Sequence, residues 1–214
     1  MPVEKWTPER RRQRTREALL DAAATVFAQR GFHGASLDEI AETAGYTRGA
    51  IYKHFADKED LLHEVCVRLN ERSFAEFDDM PAVRVPISQF VDGKSVVDQW
   101  RSMNERDAEF RIVMLEYQLY AMRNPQARER ALGFARENMH HLADYIRQHA
   151  ADVGEEPPLP VDDIAGVFGV MSDGFGQAAL IDPDATRLFG LALDLVVRGI
   201  QSHAHEASEQ AGDS

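Results

Sequence analysis

Residues 36–55, SLDEIAETAGYTRGAIYKHF, decide the fold of this chain, because they predict two short helices joined by a glycine turn. Ser36 and Glu39 form an S-x-x-E capping box, in which the hydroxyl and the carboxylate each satisfy a backbone N–H at a helix start. An apolar stripe follows at helical spacing, and Gly45 stands where a helix end requires left-handed backbone. The first predicted helix is therefore about two turns long.

The second predicted helix begins after Thr47, which can cap it. Ile51 and Phe55 are four residues apart and can bury against the first helix. A cap, a short helix, a glycine turn and a second helix together predict a helix-turn-helix, whose second helix fits the major groove of DNA. Residues 47–56 contain no acid, as a surface that meets phosphates requires. We expect this surface to face outward.

Residues 34–62, GASLDEIAETAGYTRGAIYKHFADKEDLL, resemble the tetracycline-repressor (TetR) family of bacterial regulators. The family's usual order is I-A, two residues, A-G, then G-x-I-Y-x-H-F and D-K-E-x-L. The resemblance is close over residues 14–69 and holds elsewhere only in pattern. One departure is Tyr46, where the family usually has a smaller aliphatic residue.

The resemblance implies an all-α chain with an N-terminal three-helix helix-turn-helix domain and a larger helical domain that binds a small molecule and dimerises. We expect the DNA-binding domain at 1–56, the helical ligand-binding and dimerisation domain at 57–206, and a disordered tail at 207–214. A long scaffold helix is predicted from residue 9 to residue 30, ended by Gly31.

Eight residues are the expected DNA contacts. Arg48 can pair with guanine through two hydrogen bonds or contact a phosphate, and the sequence favours neither. Tyr52 resembles a phosphate contact of the family, with a half-buried core position as the alternative. Lys58 matches the family lysine that grips phosphate. The full set is Ser36, Thr47, Arg48, Gly49, Tyr52, Lys53, His54 and Lys58.

The charge distribution is consistent with DNA as a partner, although the net charge is −12. Residues 1–56 hold nine Lys and Arg against seven Asp and Glu, whereas residues 57–214 hold 15 against 29. Distant acids are screened at about 8 to 10 Å, so the local cations count most. The arginines of residues 10–16 are expected to contact phosphates or the minor groove, or else only to aid solubility.

Cellular location is predicted from the cysteine content and the apolar runs. The single cysteine, Cys66, excludes an internal disulfide framework and fits a reducing cytoplasm. The start MPVEKWTPERRRQR has no apolar core segment, and the sequence has no run of about 18 apolar residues, so we expect neither export nor a membrane partner.

Aromatic and methionine side chains between residues 100 and 175 are the only hint of a ligand site. They can line an adaptable apolar cavity for a small apolar or amphipathic effector, or simply fill the core. The candidates are Trp100, Met103, Phe110, Met114, Tyr117, Phe168, Met171 and Phe175.

A final helix pair is predicted at 162–180 and 184–203. It has more apolar surface than one hairpin can hide, which favours a homodimer through a four-helix interface over packing within the subunit.

The sequence contains no H-E-x-x-H, no paired C-x-x-C, no G-x-S-x-G and no Walker loop. The pairs His140-His141 and His203-x-His205 lack carboxylate or cysteine partners, so we expect no metal, no cofactor and no enzyme activity. The prediction is a transcriptional regulator, in first place a repressor, that binds a palindromic operator in double-stranded DNA as a homodimer and is released by the effector. Alternatives are an activator, or an all-α small-molecule-binding protein or enzyme that keeps the fold.

Overall fold

The computed structural model describes residues 7–78, 97–98, 100–102, 108–154, 156–157 and 159–212, with the side chains of 76–78 and 203–212 left out. All regular secondary structure in these ranges is helical, as the sequence predicts. The helices are α1 Pro8–Gly34, α2 Leu37–Thr43, α3 Arg48–Ile51, α4 Lys58–Asp78, α5 Ala108–Arg123, α6 Pro125–Val153, α7 Val161–Ala179 and α8 Ala185–Gly212. Residues 78–94 contain two prolines and a glycine without a helical period, which predicts a loop, and this segment lies, apart from Asp78, outside the described residues.

The scaffold helix α1 starts with a side-chain cap and is broken near its end. Thr7 Oγ1 accepts a hydrogen bond from Arg10 N at 3.3 Å, and Pro8 stands in the first turn, where no N–H is needed. Gly31 has φ 68°, so the regular helix breaks at the predicted residue, and one further turn leads to Gly34. Phe32 packs back on Phe27, with ring centroids 6.0 Å apart. The break turns the chain toward α2.

The start of α2 uses half of the predicted capping box. Ser36 Oγ accepts a hydrogen bond from Glu39 N at 3.1 Å. The Glu39 carboxylate differs from the prediction, since it accepts from Arg30 Nε at 3.2 Å instead of closing back on the helix start. A charged guanidinium is a stronger partner for a carboxylate than a backbone amide, which explains the exchange.

The glycine turn after α2 is a Schellman motif. Gly45 has φ 73°, its N–H donates to Glu42 O at 3.0 Å, and Tyr46 N donates to Ala41 O at 2.8 Å. These two bonds satisfy carbonyls that the helix end leaves unpaired. The predicted role of Gly45 is therefore confirmed.

Contacts divide the chain into two compact units, Met1–Asp78 with Glu109–Ala131 and Asp79–Ala108 with Leu132–Ser214. In the first, α1 packs against α2, α3 and α4. Its core consists of buried side chains from all of these helices and from α5, among them Leu19, Phe27, Ile40, Ile51, Leu62, Cys66 and Val113. The predicted boundary at residue 56 separates a DNA-binding part from a ligand-binding part. A division by contacts does not test it, so it stays a prediction.

In the second unit α7 packs against α8. Its apolar cluster has Trp100, Phe189, Leu193 and Val197 at the centre. The last helix continues to Gly212, into the segment 207–214 that the sequence predicts to be disordered. The predicted disorder of this segment stays a prediction.

Candidate nucleic-acid interface

The short helix α3 presents a polar face because two apolar side chains hold its other face in the core. Ile51 and Phe55 are buried, whereas Arg48, Gly49 and Lys53 are exposed. After Ile51 the chain continues in hydrogen-bonded turns, with His54 N donating to Ile51 O at 2.9 Å. The outward orientation predicted for this surface is thus found in the structure.

Two predicted contacts stand at helix starts, and a third, Tyr52, stands at the end of α3. Ser36 and Thr47 stand at the N-cap positions of α2 and α3 and are exposed. The expected cap by Thr47 differs in detail, because its hydroxyl makes no capping hydrogen bond and Ala50 N donates to Thr47 O at 2.8 Å instead. Tyr52 is 51% exposed, so about half of its side chain lies outside the core and is open to a partner.

Arg48 is held by two partners within the motif. Its Nη1 donates to Asp38 Oδ2 at 3.0 Å and its Nη2 donates to the Tyr52 hydroxyl at 3.2 Å. The guanidinium carbon also lies 5.7 Å from the centroid of the Tyr52 ring. The hydrogen bond with Tyr52 and the charge of Asp38 raise the pKa of Arg48. The sequence analysis missed Asp38, whose only signal is its place in the first turn of α2.

A basic surface groove joins the end of α3 to the start of α1. Burial, followed by the charges of Arg12, Arg16 and Lys53, lowers the pKa of His54. Part of the arginine cluster at 10–16 therefore shares a surface with the motif. Thr15 and Tyr46 also lie on this surface, although the sequence did not predict them as contacts. The groove is lined by Arg11, Arg12, Thr15, Tyr46, Ala50, Lys53 and His54.

Lys58 begins α4 and lies against an aromatic ring. Its Nζ is 4.8 Å from the centroid of the Phe32 ring, and burial lowers its pKa. Asp57 caps this helix, because its Oδ1 accepts a hydrogen bond from Asp60 N at 2.7 Å. The predicted phosphate contact of Lys58 stays a prediction, and it competes with the contact to Phe32.

Helix α5 contacts the scaffold of the motif. Phe32 N donates to Glu116 Oε2 at 2.8 Å, and the Phe32 and Tyr120 ring centroids are 4.7 Å apart. A side chain added at Gly31 would meet the Glu116 carboxylate at 3.0 Å, so this position favours glycine on two grounds. The hydroxyl of Tyr117 hydrogen-bonds His63 Nδ1 of α4 at 2.7 Å, and burial raises the pKa of Tyr117 to about 12.

The predicted ligand residues fall into both compact units. Trp100, Phe168, Met171 and Phe175 belong to the apolar cluster of the second unit. There the Trp100 ring stacks on Phe189 at 3.9 Å, and its Nε1 donates to Ser172 Oγ at 2.9 Å. The remaining candidates lie elsewhere: Phe110, Met114 and Tyr117 are on α5 in the first unit, and Met103 lies outside the described residues.

The final helix pair leaves apolar side chains exposed within the subunit. Val170 on α7 is 74% exposed, and Leu195 on α8 is 62% exposed. Leu188 and Leu191 are exposed on the same helix, while its buried positions include Phe189, Leu193 and Val197. We call the exposed set Val167, Val170, Leu188, Leu191 and Leu195 the apolar face of α7 and α8.

The described residues contain neither a membrane-spanning helix nor a metal-binding cluster. No described helix combines the length and apolar content that crossing a bilayer requires. No group of three or more His, Cys, Asp or Glu side chains within the described ranges is placed to hold a metal ion.

The exposed cationic helix on a capped, glycine-turned scaffold defines a helix-turn-helix protein of the DNA-binding class. Residues 19–65 match the family described as bacterial regulatory proteins, tetR family, which assigns the helix-turn-helix part of this chain to the TetR type.

Relatives agree with this assignment. The HTH-type transcriptional regulator AcrR of Shigella flexneri is 48% identical over 66 residues, which are 31% of this chain and 30% of that protein. UidR of Escherichia coli K12, also an HTH-type transcriptional regulator, is 29% identical over 153 residues, 70% of this chain and 71% of UidR. A TetR-family regulator from Rhodococcus sp. has a similar crystal structure, with TM-score 0.65, 25% identity and coverage of 86% of this chain and 99% of that one.

Proposed function

We propose that this chain is a transcriptional repressor of the bacterial cytoplasm that binds a palindromic operator as a homodimer. The observation that carries the proposal is the exposed face of α3, where Arg48, Tyr52 and Lys53 stand outward over buried Ile51 and Phe55. Cations and hydroxyls on a short rigid helix suit a groove lined by phosphates. The relatives named as HTH-type transcriptional regulators support this use.

Dimerisation is supported by the apolar face of α7 and α8. Val170 and Leu195 are largely exposed, and covering them with a second copy of the chain would remove apolar surface from water, which is favourable. A side chain added at Gly166 or Gly174 of α7 would meet open space, so a partner helix can approach the backbone closely there. A two-fold dimer presents two copies of α3 to the two halves of a palindrome.

Response to an effector is supported by the position of α5. This helix carries Phe110, Met114 and Tyr117 of the proposed ligand site, and it also contacts α1 and α4 through Glu116 and Tyr117. An effector that binds one position of α5 more tightly shifts the conformational equilibrium of the motif. The free energy of that shift cannot exceed the difference between its binding free energies for the two positions. We infer a small apolar or amphipathic effector that releases the operator.

The test uses the full-length protein and a duplex selected from a pool with randomised sequence. Binding of the selected duplex and of its scrambled version is measured by fluorescence anisotropy at two salt concentrations. A regulator of this class binds the selected duplex about 10³-fold or more tightly than the scrambled one, and its affinity falls steeply with salt. Equal affinity for both duplexes would refute the proposal.

A matched pair of variants locates the interface. Arg48→Ala should lose preference at one base pair, whereas Arg123→Ala, which removes an exposed cation at the end of α5, should bind as the parent does. Equal losses in both variants would place the interface elsewhere. A reporter gene behind the selected site then distinguishes repression from activation, and compounds that release the duplex identify the effector class.

A further inference from the structure

The acid Asp38 lies next to a helix that otherwise avoids acids. It stands in the first turn of α2, while the helix that carries Arg48 has no acid in its first turn. A carboxylate near a phosphate surface weakens DNA binding unless a cation neutralises it. The arrangement therefore needs an explanation beyond phosphate attraction.

The stability of the protein is not a sufficient reason for the pair. The side chains of Arg48 and Asp38 are 52% and 68% exposed, and ion pairs this exposed typically contribute about 0 to 1 kcal/mol. An acid in the first turn of a helix also stabilises it through the helix dipole, but Glu39 beside it supplies the same effect.

Orientation of the guanidinium is the effect that the contacts do produce. Asp38 fixes Nη1, the Tyr52 hydroxyl fixes Nη2, and the Tyr52 ring lies 5.7 Å from the guanidinium carbon. An arginine side chain has five N–H donors, so these two bonds leave enough donors for a paired contact with guanine O6 and N7. A long flexible side chain held from two sides loses less entropy when it binds.

We propose that Asp38 is a specificity-determining positioning residue, whose carboxylate on α2 holds the Arg48 guanidinium in one orientation for reading a guanine edge. The proposal rests on the proposed function and resolves the choice left open for Arg48 in favour of the base contact. Asp38 acts through Arg48 and touches no base itself.

The test compares three variants of the full-length protein on the selected duplex and on its single-base variants. Asp38→Asn should lower discrimination at the base pair read by Arg48 by about 3- to 10-fold, since a complete bidentate contact discriminates by about 5- to 150-fold. Arg48→Lys should lose discrimination at the same base pair. Adding Asp38→Asn to Arg48→Lys should change nothing further there.

Glu39→Gln is the matched control. Like Asp38→Asn it removes one negative charge from the first turn of α2 and breaks one ion pair, in this case with Arg30. Both variants should bind scrambled duplex equally and slightly more tightly than the parent, because each removes one repulsive charge. Only Asp38→Asn should change base preference, and circular dichroism should show the same folded state for both.

Several outcomes would overturn the proposal. Unchanged base preference in Asp38→Asn, with Arg48→Lys altered, would leave the proposed function standing and remove Asp38 from the reading of sequence. A change at a base pair other than that of Arg48 would mean that Asp38 contacts a base directly. If the parent protein itself fails to prefer any duplex, the proposed function fails first, and the two failures are thereby distinguished.

Discussion

The helix-turn-helix and the final helix pair differ in what they do with their apolar side chains. In the motif, Ile51 and Phe55 are 0% and 2% exposed, and what remains outside is polar and cationic. In the final pair, Val170 and Leu195 stay 74% and 62% exposed. The first surface suits a polyanion, whereas the second leaves apolar side chains in contact with water unless a partner covers them.

The largest expected difference is in stability, because the buried side chains of the motif should contribute far more to the free energy of unfolding than the exposed ones. Phe55→Ala should lower the free energy of unfolding by about 3 to 5 kcal/mol, because it leaves a cavity beneath α3. Urea denaturation measures this loss. Tyr52→Ala, at an exposed aromatic three residues earlier, should cost about 1 kcal/mol or less. Equal losses in the two variants would contradict the assignment of buried and exposed faces.

The apolar face of α7 and α8 is tested by truncating one of its leucines. Leu191→Ala should weaken dimerisation by about 2 to 3 kcal/mol, since the residue is buried in both copies of a two-fold interface. Sedimentation equilibrium gives the dissociation constant. Leu119→Ala on α5 removes a comparably exposed leucine and should leave the dimer unchanged. A monomeric parent protein would show that this face has another partner.

A variant of Lys58 tests whether the cationic surface extends to the start of α4. Lys58→Ala should weaken binding to every duplex by about 1 kcal/mol and reduce the slope of log K against log salt by about 0.9, as loss of one phosphate contact predicts. Lys58→Arg keeps the charge and should keep the slope. An unchanged slope in Lys58→Ala, together with lower stability, would mean that the ammonium serves only the Phe32 ring.

The smallest effect expected is a proton linked to His54. Because the pKa of His54 is lowered from 6.5, mainly by burial, its contribution to folding stability is full above that pH and is lost as the pH falls. A nearby phosphate favours the protonated ring, so operator affinity at constant salt should rise as the pH falls from about 7.5 to about 5.5. The rise should be smaller in His54→Gln. An equal rise in both would assign the proton to another group.

The sequence predicts the motif well because its signals are local. Ser36 and Gly45 each act within a few residues, so the spacing alone identifies the cap and the turn. The polar face of α3 follows from the spacing of Ile51 and Phe55 in the same way.

Contacts between distant segments could not be predicted from the sequence. Asp38 meets Arg48 across the glycine turn, and Glu116 reaches Phe32 from another helix, 84 residues further along the chain. Nothing in the periodicity of either segment marks these side chains, because both are polar residues on amphipathic helices. The proposed response of the motif to α5 relies on such contacts.

The final pair lies between these extremes. Its surplus of apolar residues was evident from the sequence, but which residues face out was not. Phe189, Leu193 and Val197 are buried, while Leu188, Leu191 and Leu195 are exposed. Both sets have helical spacing, so the choice between them depends on the packing of α7, which periodicity does not determine.

We propose that α3 and the turn that follows it contact duplex DNA. Covalent labelling of Lys53, which lies in this turn, tests the contact. The protein is treated with an amine-reactive reagent in the presence of the selected duplex or of the scrambled duplex at equal salt, and modification is read by mass spectrometry. The selected duplex should protect Lys53 strongly and the scrambled duplex should not. Full reactivity of Lys53 with saturating selected duplex would contradict the claim.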